Sequence, residues 1–266
     1  MRIFFSAIFT VIFFAKISFA ALPFVTDDAA VGYKNQVLLE TYTENWHSPS
    51  KQGNPSAETL GQYLGFSYGL LNNFEISSGA LASYDFGDHA PTLSNPFFQM
   101  KSVLYHSDVP EIPNIAVSVG YVHKSGSGLY YDNATNAYVL GIATASYFKD
   151  KLHVHFNAGA KSSYNINQVK NVHRAQLGIG IDLALYKDIR LVAESYNGAP
   201  NSPRDSPGYF NSYQAGLKWV KSDIVSFNIL YGTQPTFIGY GANNQSFYRQ
   251  TNWIQFGMRK VIDDVF

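Results

Sequence analysis

From Arg174 to Leu185 the chain alternates without a break. Ala175, Leu177, Ile179, Ile181, Leu183 and Leu185 define one face; Arg174, Gln176, Gly178, Gly180 and Asp182 define the other. A period of two held this long predicts a β-strand with one apolar side. Leu152–Tyr164 repeats the pattern: Leu152, Val154, Phe156, Ala158 and Ala160 oppose His153, His155, Asn157, Gly159 and Lys161. Weaker versions cover Gln36–Glu44, Thr59–Leu70, Phe74–Phe86, Phe97–Leu104, Ile115–Lys124, Tyr138–Tyr147, Ile189–Tyr196, Tyr209–Val220, Ile224–Tyr231 and Trp253–Ile262. The total is about twelve strands, an even number of the kind used by single-chain bacterial barrels.

The connections sort into two sets. Leu71-Asn72-Asn73, His106–Asn114, Phe148–Lys151, Tyr186-Lys187-Asp188 and Lys221-Ser222-Asp223 are mostly tight and carry turn-forming residues. Asn45–Glu58, Gly87–Pro96, Ser125–Ala137, Asn165–His173, Asn197–Gly208 and Gly232–Gln250 are longer and rich in Gly, Pro, Asn and Ser. Strict alternation of short and long connections is expected of an outer-membrane barrel, with short periplasmic turns and long external loops. A soluble β-sandwich has no reason to sort its loops this way.

Periodicity alone does not say which face meets water. The ends of the chain decide. Met1–Ala20 reads as a secretory signal: Arg2 is followed by the apolar run Ile3–Phe14 and by Ser18-Phe19-Ala20, a small-x-small cleavage pattern. At the other end, Ile254, Phe256 and Met258 oppose Gln255, Gly257 and Arg259, and the chain ends on Phe266. A last strand of this kind is what the outer-membrane barrel-assembly machinery reads, although Asp263 and Asp264 interrupt it. The expectation is therefore a cleaved signal over 1–20, an N-terminal periplasmic segment over 21–34, and an all-β, antiparallel transmembrane barrel over 35–266, set in outer-membrane lipid.

Composition narrows the function. Aromatic residues make up 16% of the chain, enough to furnish girdles at both membrane interfaces. Charged residues are only 14%, and the formal net charge is zero, which leaves no basic excess for nucleic acid. With no cysteine, disulfides, thiolate metal sites and lipoprotein anchoring are excluded.

The polar faces carry Glu40, Glu44, Glu75, Lys101, Lys161, Arg174, Asp182, Arg190, Glu194, Lys218 and Arg259. On the lipid side an Arg or Lys would cost about 2–4 kcal/mol at the midplane, so these side chains are assigned to the lumen. Opposite charges at this density either fill the lumen as a structural network or form a constriction along a solute path. His153 and His155 share a face, but no carboxylate lies near them in sequence, and no metal or cofactor is predicted. His106-Ser107-Asp108 and His123-Lys124-Ser125 invite a hydrolase reading. Neighbouring residues on a strand point to opposite faces, however, and neither stretch makes a triad, so no enzyme is predicted. Asp132–Asn136 lacks the spacing of a calcium loop and reads as a turn-rich connection.

Leu22–Gly32, LPFVTDDAAVG, resembles the start of the mature chain in the family called "MetA-pathway of phenol degradation". Val37–Tyr42, with Glu40, resembles that family's first strand; Tyr68–Asn73 takes the place of its tight turn; Ile189–Glu194 is similar to its late strand. Of the family's Gly- and Lys-bearing middle strand, only Lys101 corresponds. The resemblance implies an outer-membrane barrel that takes up small, aromatic solutes.

Three readings follow: a passive channel or transporter, a lipid-acting surface hydrolase, and a closed structural or adhesive barrel. The first is preferred. Asp27 and Asp28 are further expected to fold into the barrel mouth as a plug, one of them paired with Arg174, Arg190, Lys218 or Arg259.

Overall fold

The structure is a computed structural model that describes residues 25–48, 57–126, 134–165, 170–197, 212–240 and 246–263. The signal-like stretch, the loop tips and Phe266 lie outside the described residues.

The chain forms a closed antiparallel barrel of twelve strands with one short extra strand. In chain order the strands are β1 (Val37–Ser48), β2 (Ala57–Leu71), β3 (Phe74–Asp85), β4 (Ala90–Leu93), β5 (Phe97–Tyr105), β6 (Asn114–Val122) and β7 (Thr135–Tyr147). They continue with β8 (Leu152–Asn165), β9 (Lys170–Tyr186), β10 (Ile189–Tyr196), β11 (Ser212–Val220), β12 (Val225–Tyr240) and β13 (Ser246–Ile262). Each strand pairs with the next, except that β3 pairs with both β4 and β5, and β1 pairs with β13 to close the ring. Closure leaves no lipid-exposed sheet edge, which hydrocarbon would not tolerate.

β4 is the addition that the alternation does not reveal. β3 pairs with β5 through Phe74–Gly79 and then with β4 through Ala82–Asp85. Ser94 bridges the break: its N–H donates to Leu81 O at 2.8 Å and its hydroxyl accepts from Leu81 N at 2.8 Å. β4 therefore occupies part of the stretch Gly87–Pro96 expected to be loop.

The hairpins reach further than expected. Gly232–Gln250 is read from sequence as a loop, yet β12 runs to Tyr240 and β13 resumes at Ser246. β8 and β9 likewise extend into Asn165–His173. In these stretches the apolar alternation of the sequence fades while the backbone ladder continues. At the opposite end the turns are tight. Phe148, Lys149, Asp150 and Lys187 all take positive φ, as the sharp reversals between twisted strands require.

The outward face is apolar and exposed: Leu64, Phe98, Val119, Val139, Phe156, Ile179, Leu217, Ile229, Ile254 and Phe256 all stand on it. In the last described strand, Gln255 and Arg259 are buried inward while Ile254 and Phe256 are exposed. The core of this protein is thus the lumen, and it is packed. Glu44, Glu75, Lys101, Lys161, Asp182, Glu194, Lys218 and Arg259 are all buried there.

The lumen is not polar throughout. β7 carries apolar residues on both faces, and inward-facing Tyr138, Leu140 and Ile142 pack with Phe97, Ala116 and Val122 into one cluster. Tyr138 lies over Gly120, where any side chain would overlap its ring. One wall of the barrel interior is therefore hydrophobic, a feature that the assignment of charged residues to the lumen did not reveal.

Candidate functional site

The N-terminal segment enters the barrel beside the tight β2–β3 turn. Asn35 N donates to Gly69 O at 2.8 Å, and Gly69 N donates to Gln36 O at 2.9 Å. From that anchor, residues 25–32 cross the lumen and are held by side chains of β3, β5, β7, β8 and β10. Gly32 N donates to Glu75 Oε2 at 2.9 Å, and Ala29 N to Thr144 Oγ1 at 3.0 Å. Asn157 bonds to both backbone groups of one residue: its Oδ1 accepts from Asp27 N at 2.6 Å, and its Nδ2 donates to Asp27 O at 2.9 Å.

Glu194 holds the far end. Its carboxylate accepts from Val25 N at 2.7 Å, from Thr26 N at 2.7 Å and from Thr26 Oγ1 at 2.6 Å. Gln214 Nε2 donates to the same carboxylate and orients it. Hydrogen bonds to a charged acceptor contribute about 1.5–3 kcal/mol each, so this end is firmly fixed.

The acidic pair is gathered at Lys101. Its Nζ lies 3.0 Å from Asp27 Oδ1, 3.3 Å from Glu75 Oε1 and 3.7 Å from Asp28 Oδ1, and it donates to Asp28 O at 3.4 Å. Gln99 Nε2 donates to the other Asp27 oxygen at 3.3 Å, and Tyr138 Oη donates to Gln99 Oε1 at 2.6 Å. For Asp27 this departs from the expected partners. The cation it meets is Lys101, not Arg174, Arg190, Lys218 or Arg259. The physical reason is position: the segment passes close to β5, and strand parity alone does not report height within the barrel.

Other sequence-derived lumen residues form separate pairs. Asp182 receives Arg190 Nε and, at 3.5 Å, Lys218 Nζ. Arg259 Nε stands 4.0 Å from Glu40 Oε1, opposite it in the β1–β13 ladder. Glu44, Lys161 and Arg174 lie further toward the long-loop end. There Lys161 is buried, whereas Arg174, its neighbour across the β8–β9 ladder, is exposed. Trp46 and Trp253 stack at the same end with ring centroids 4.7 Å apart.

Gln99, Thr144 and Asn157 hold the segment, yet none was singled out from sequence as a lumen contact. Each has inward parity and a short or flexible polar side chain, a signal shared with many lumen positions. His153 and His155 face inward and meet Ser146 Oγ at 3.0 Å and Thr144 Oγ1 at 3.1 Å. Among the described residues, no group of three or more His, Cys, Asp or Glu side chains converges to hold a metal ion. Ser107 Oγ donates to Val109 O at 3.0 Å and accepts from Val109 N, so this hydroxyl shapes its turn.

No family model matches this chain, and no curated protein matches it by sequence. Its likeness to solved structures is one of fold. An outer membrane channel from Pseudomonas putida F1 superposes with a TM-score of 0.59 at 7% identity, over 88% of this chain and 98% of that one. The NanC porin gives a TM-score of 0.53 at 8% identity, over 84% and 98%. The KdgM porin, solved with disordered oligogalacturonate, gives 0.50 at 12% identity, over 82% and 98%. The fold is thus that of outer-membrane barrels, and the chain spans nearly the whole of each of these.

Proposed function

We propose that this chain is an outer-membrane channel for small solutes whose N-terminal segment closes the lumen from the periplasmic side. The observation that carries the reading is the grip of five strands on residues 25–32 inside the barrel. In this reading 1–20 is the export signal and the tight turns face the periplasm. The last strand guides the barrel-assembly machinery, and nucleic acid is not a partner. Glu40, Glu44, Lys101, Lys161, Arg174, Asp182, Arg190, Glu194, Lys218 and Arg259 line the path, with Asp27 and Asp28 in the plug. The segment-by-segment resemblance to the phenol-degradation family supports a small aromatic solute, as does the hydrophobic wall at β5–β7.

Planar-bilayer recording tests the gate. Removing Ala21–Gly32 should raise single-channel conductance while the protein stays folded. Equal conductance with and without the segment overturns the gating reading. Silence in both forms instead favours a closed structural barrel, a reading supported by the dense packing of charged side chains in the lumen.

A further inference from the structure

The Asp27 carboxylate occupies a cradle built by the barrel wall. Lys101, only 3% exposed, meets one oxygen at 3.0 Å, and Gln99 donates to the other at 3.3 Å. Tyr138 fixes this arrangement, because by donating to Gln99 Oε1 it turns the amide nitrogen toward the carboxylate. Two donors on one strand, inward and two residues apart, thus divide the two oxygens of a single carboxylate.

On the β6–β7 side the cradle borders the apolar cluster. Across β6, Lys101 shares a row with Ser118 and Leu140, while Phe97 and Val122 stand above it and Ala116 and Ile142 below. Against that wall the segment offers one small apolar group, the methyl of Ala29. Tyr63 of β2 packs against the same cluster, and between them the wall can hold a larger hydrophobic body than the Ala29 methyl.

We propose that the Lys101–Gln99 cradle is a binding subsite for a small monocarboxylate with an apolar body, which enters as the segment leaves. Asp27 then acts as a tethered competitor for the solute. The inference rests on the gating reading and adds the chemical class of the ligand to it. At Lys101 itself the exchange takes away more negative groups than it brings. In the closed form three carboxylates, those of Asp27, Asp28 and Glu75, surround one ammonium. With the segment gone, Glu75 alone remains beside Lys101, and an incoming monocarboxylate restores less negative charge than left. Lys101 has three donors, so Glu75 leaves room for a second acceptor.

Calorimetric titration of the full chain, folded in lipid nanodiscs, tests the proposal with benzoate and hexanoate as probes and benzyl alcohol and hexanol as their uncharged counterparts. Asp27→Ala should bind both carboxylates about tenfold or more tightly than the matching alcohols, as a charge-assisted contact implies. It should also bind them more tightly than the unaltered chain does. Adding Gln99→Met or Lys101→Met to Asp27→Ala should erase the carboxylate preference; the Gln99 variant covers the case in which the Lys101 variant does not fold. Equal binding of acids and alcohols by Asp27→Ala, or a preference that survives Gln99→Met, overturns the proposal. If Asp27→Ala selects carboxylates although removing Ala21–Gly32 leaves conductance unchanged, the subsite stands and the gate does not.

Discussion

Lys101 on β5 and Asp27 in the N-terminal segment form an ion pair 3.0 Å long inside the barrel. The two residues are far apart in sequence and belong to different parts of the fold, one to the wall and one to its content. Lys101 also holds Glu75 on the neighbouring strand, opposite it in the β3–β5 ladder. A single ammonium thus ties a piece of wall to a piece of the segment. This is the arrangement a releasable closure needs, because separating Asp27 from Lys101 leaves the wall pair Lys101–Glu75 intact.

Replacing Lys101 with Met should be costly in the closed form. Asp27 and Glu75 would lose the ammonium they share, and removing one partner from a buried pair typically costs about 3–5 kcal/mol. The expected outcome is a lower urea midpoint for the barrel refolded in lipid vesicles, together with larger conductance. Adding Glu75→Gln should recover part of the lost stability, since one uncompensated charge is removed. No recovery would mean that Lys101 acts through its packing against the apolar wall and not through its charge.

Glu194 offers a test at the other end of the segment. Glu194→Gln keeps size and shape but replaces a charged acceptor with an amide that has a single acceptor oxygen. Val25 N, Thr26 N and Thr26 Oγ1 would then compete for that oxygen, where today they share two. At about 1.5–3 kcal/mol for each charge-assisted bond, the far end should detach while the Lys101 end remains. The expected signature is flickering conductance and faster proteolysis near Val25, with the barrel's unfolding midpoint little changed. A stable, closed recording would show that Glu194 is dispensable to the closure.

How much of this was legible in the sequence depends on what each residue reports. The alternation of Arg174–Leu185 gave away both its strand and its faces, because every second residue meets a different medium. The eleven charges assigned to the polar faces follow from the cost of a charge in lipid. Parity, however, fixes the face and not the height. Nothing in the sequence says that Asp27 stops beside Lys101 and not beside Arg259, because that depends on strand stagger around the whole ring. The apolar inner wall was hidden for a related reason: Tyr138, Leu140 and Ile142 alternate with Val139, Gly141 and Ala143, so both faces of β7 read as hydrophobic. The long β12–β13 hairpin was missed where its alternation fades. Thr26, held by Glu194 on β10 and seated over Gly178 on β9, entered the sequence reading only as part of the family-like segment.

The topology makes a labelling prediction. Residues 241–245 connect β12 to β13, and 49–56 connect β1 to β2, at the end opposite the tight turns. Epitope tags placed in either stretch should be reached by antibody on intact cells. A tag between Lys187 and Asp188, in the turn between β9 and β10, should be reached only after the outer membrane is permeabilised. Labelling of the Lys187–Asp188 tag on intact cells would reverse the direction of the chain and move the segment to the external mouth.

Gly178 separates the segment from the wall most sharply. It faces inward on β9, beneath Thr26, and a methyl group built on it would overlap the Thr26 methyl while clearing Tyr196 Cβ at 3.6 Å. The wall can therefore accept alanine here, whereas the segment cannot stay where it is. Gly178→Ala should displace Thr26 from Glu194 and raise conductance without lowering the barrel's unfolding midpoint, since alanine is no worse than glycine within a strand. Gly120→Ala is the control: there the overlap is with the Tyr138 ring, a part of the wall, so stability should fall by about 1–3 kcal/mol, as overpacking does. Shortening the obstacle should reverse the first effect: Thr26→Ser removes the overlapping methyl and keeps the hydroxyl that Glu194 accepts. Gly178→Ala combined with Thr26→Ser is thus expected to close the channel again. If conductance stays high in the double variant, or Gly178→Ala destabilises the barrel as much as Gly120→Ala, Thr26 is not seated on Gly178 in the membrane and the segment takes another path through the lumen.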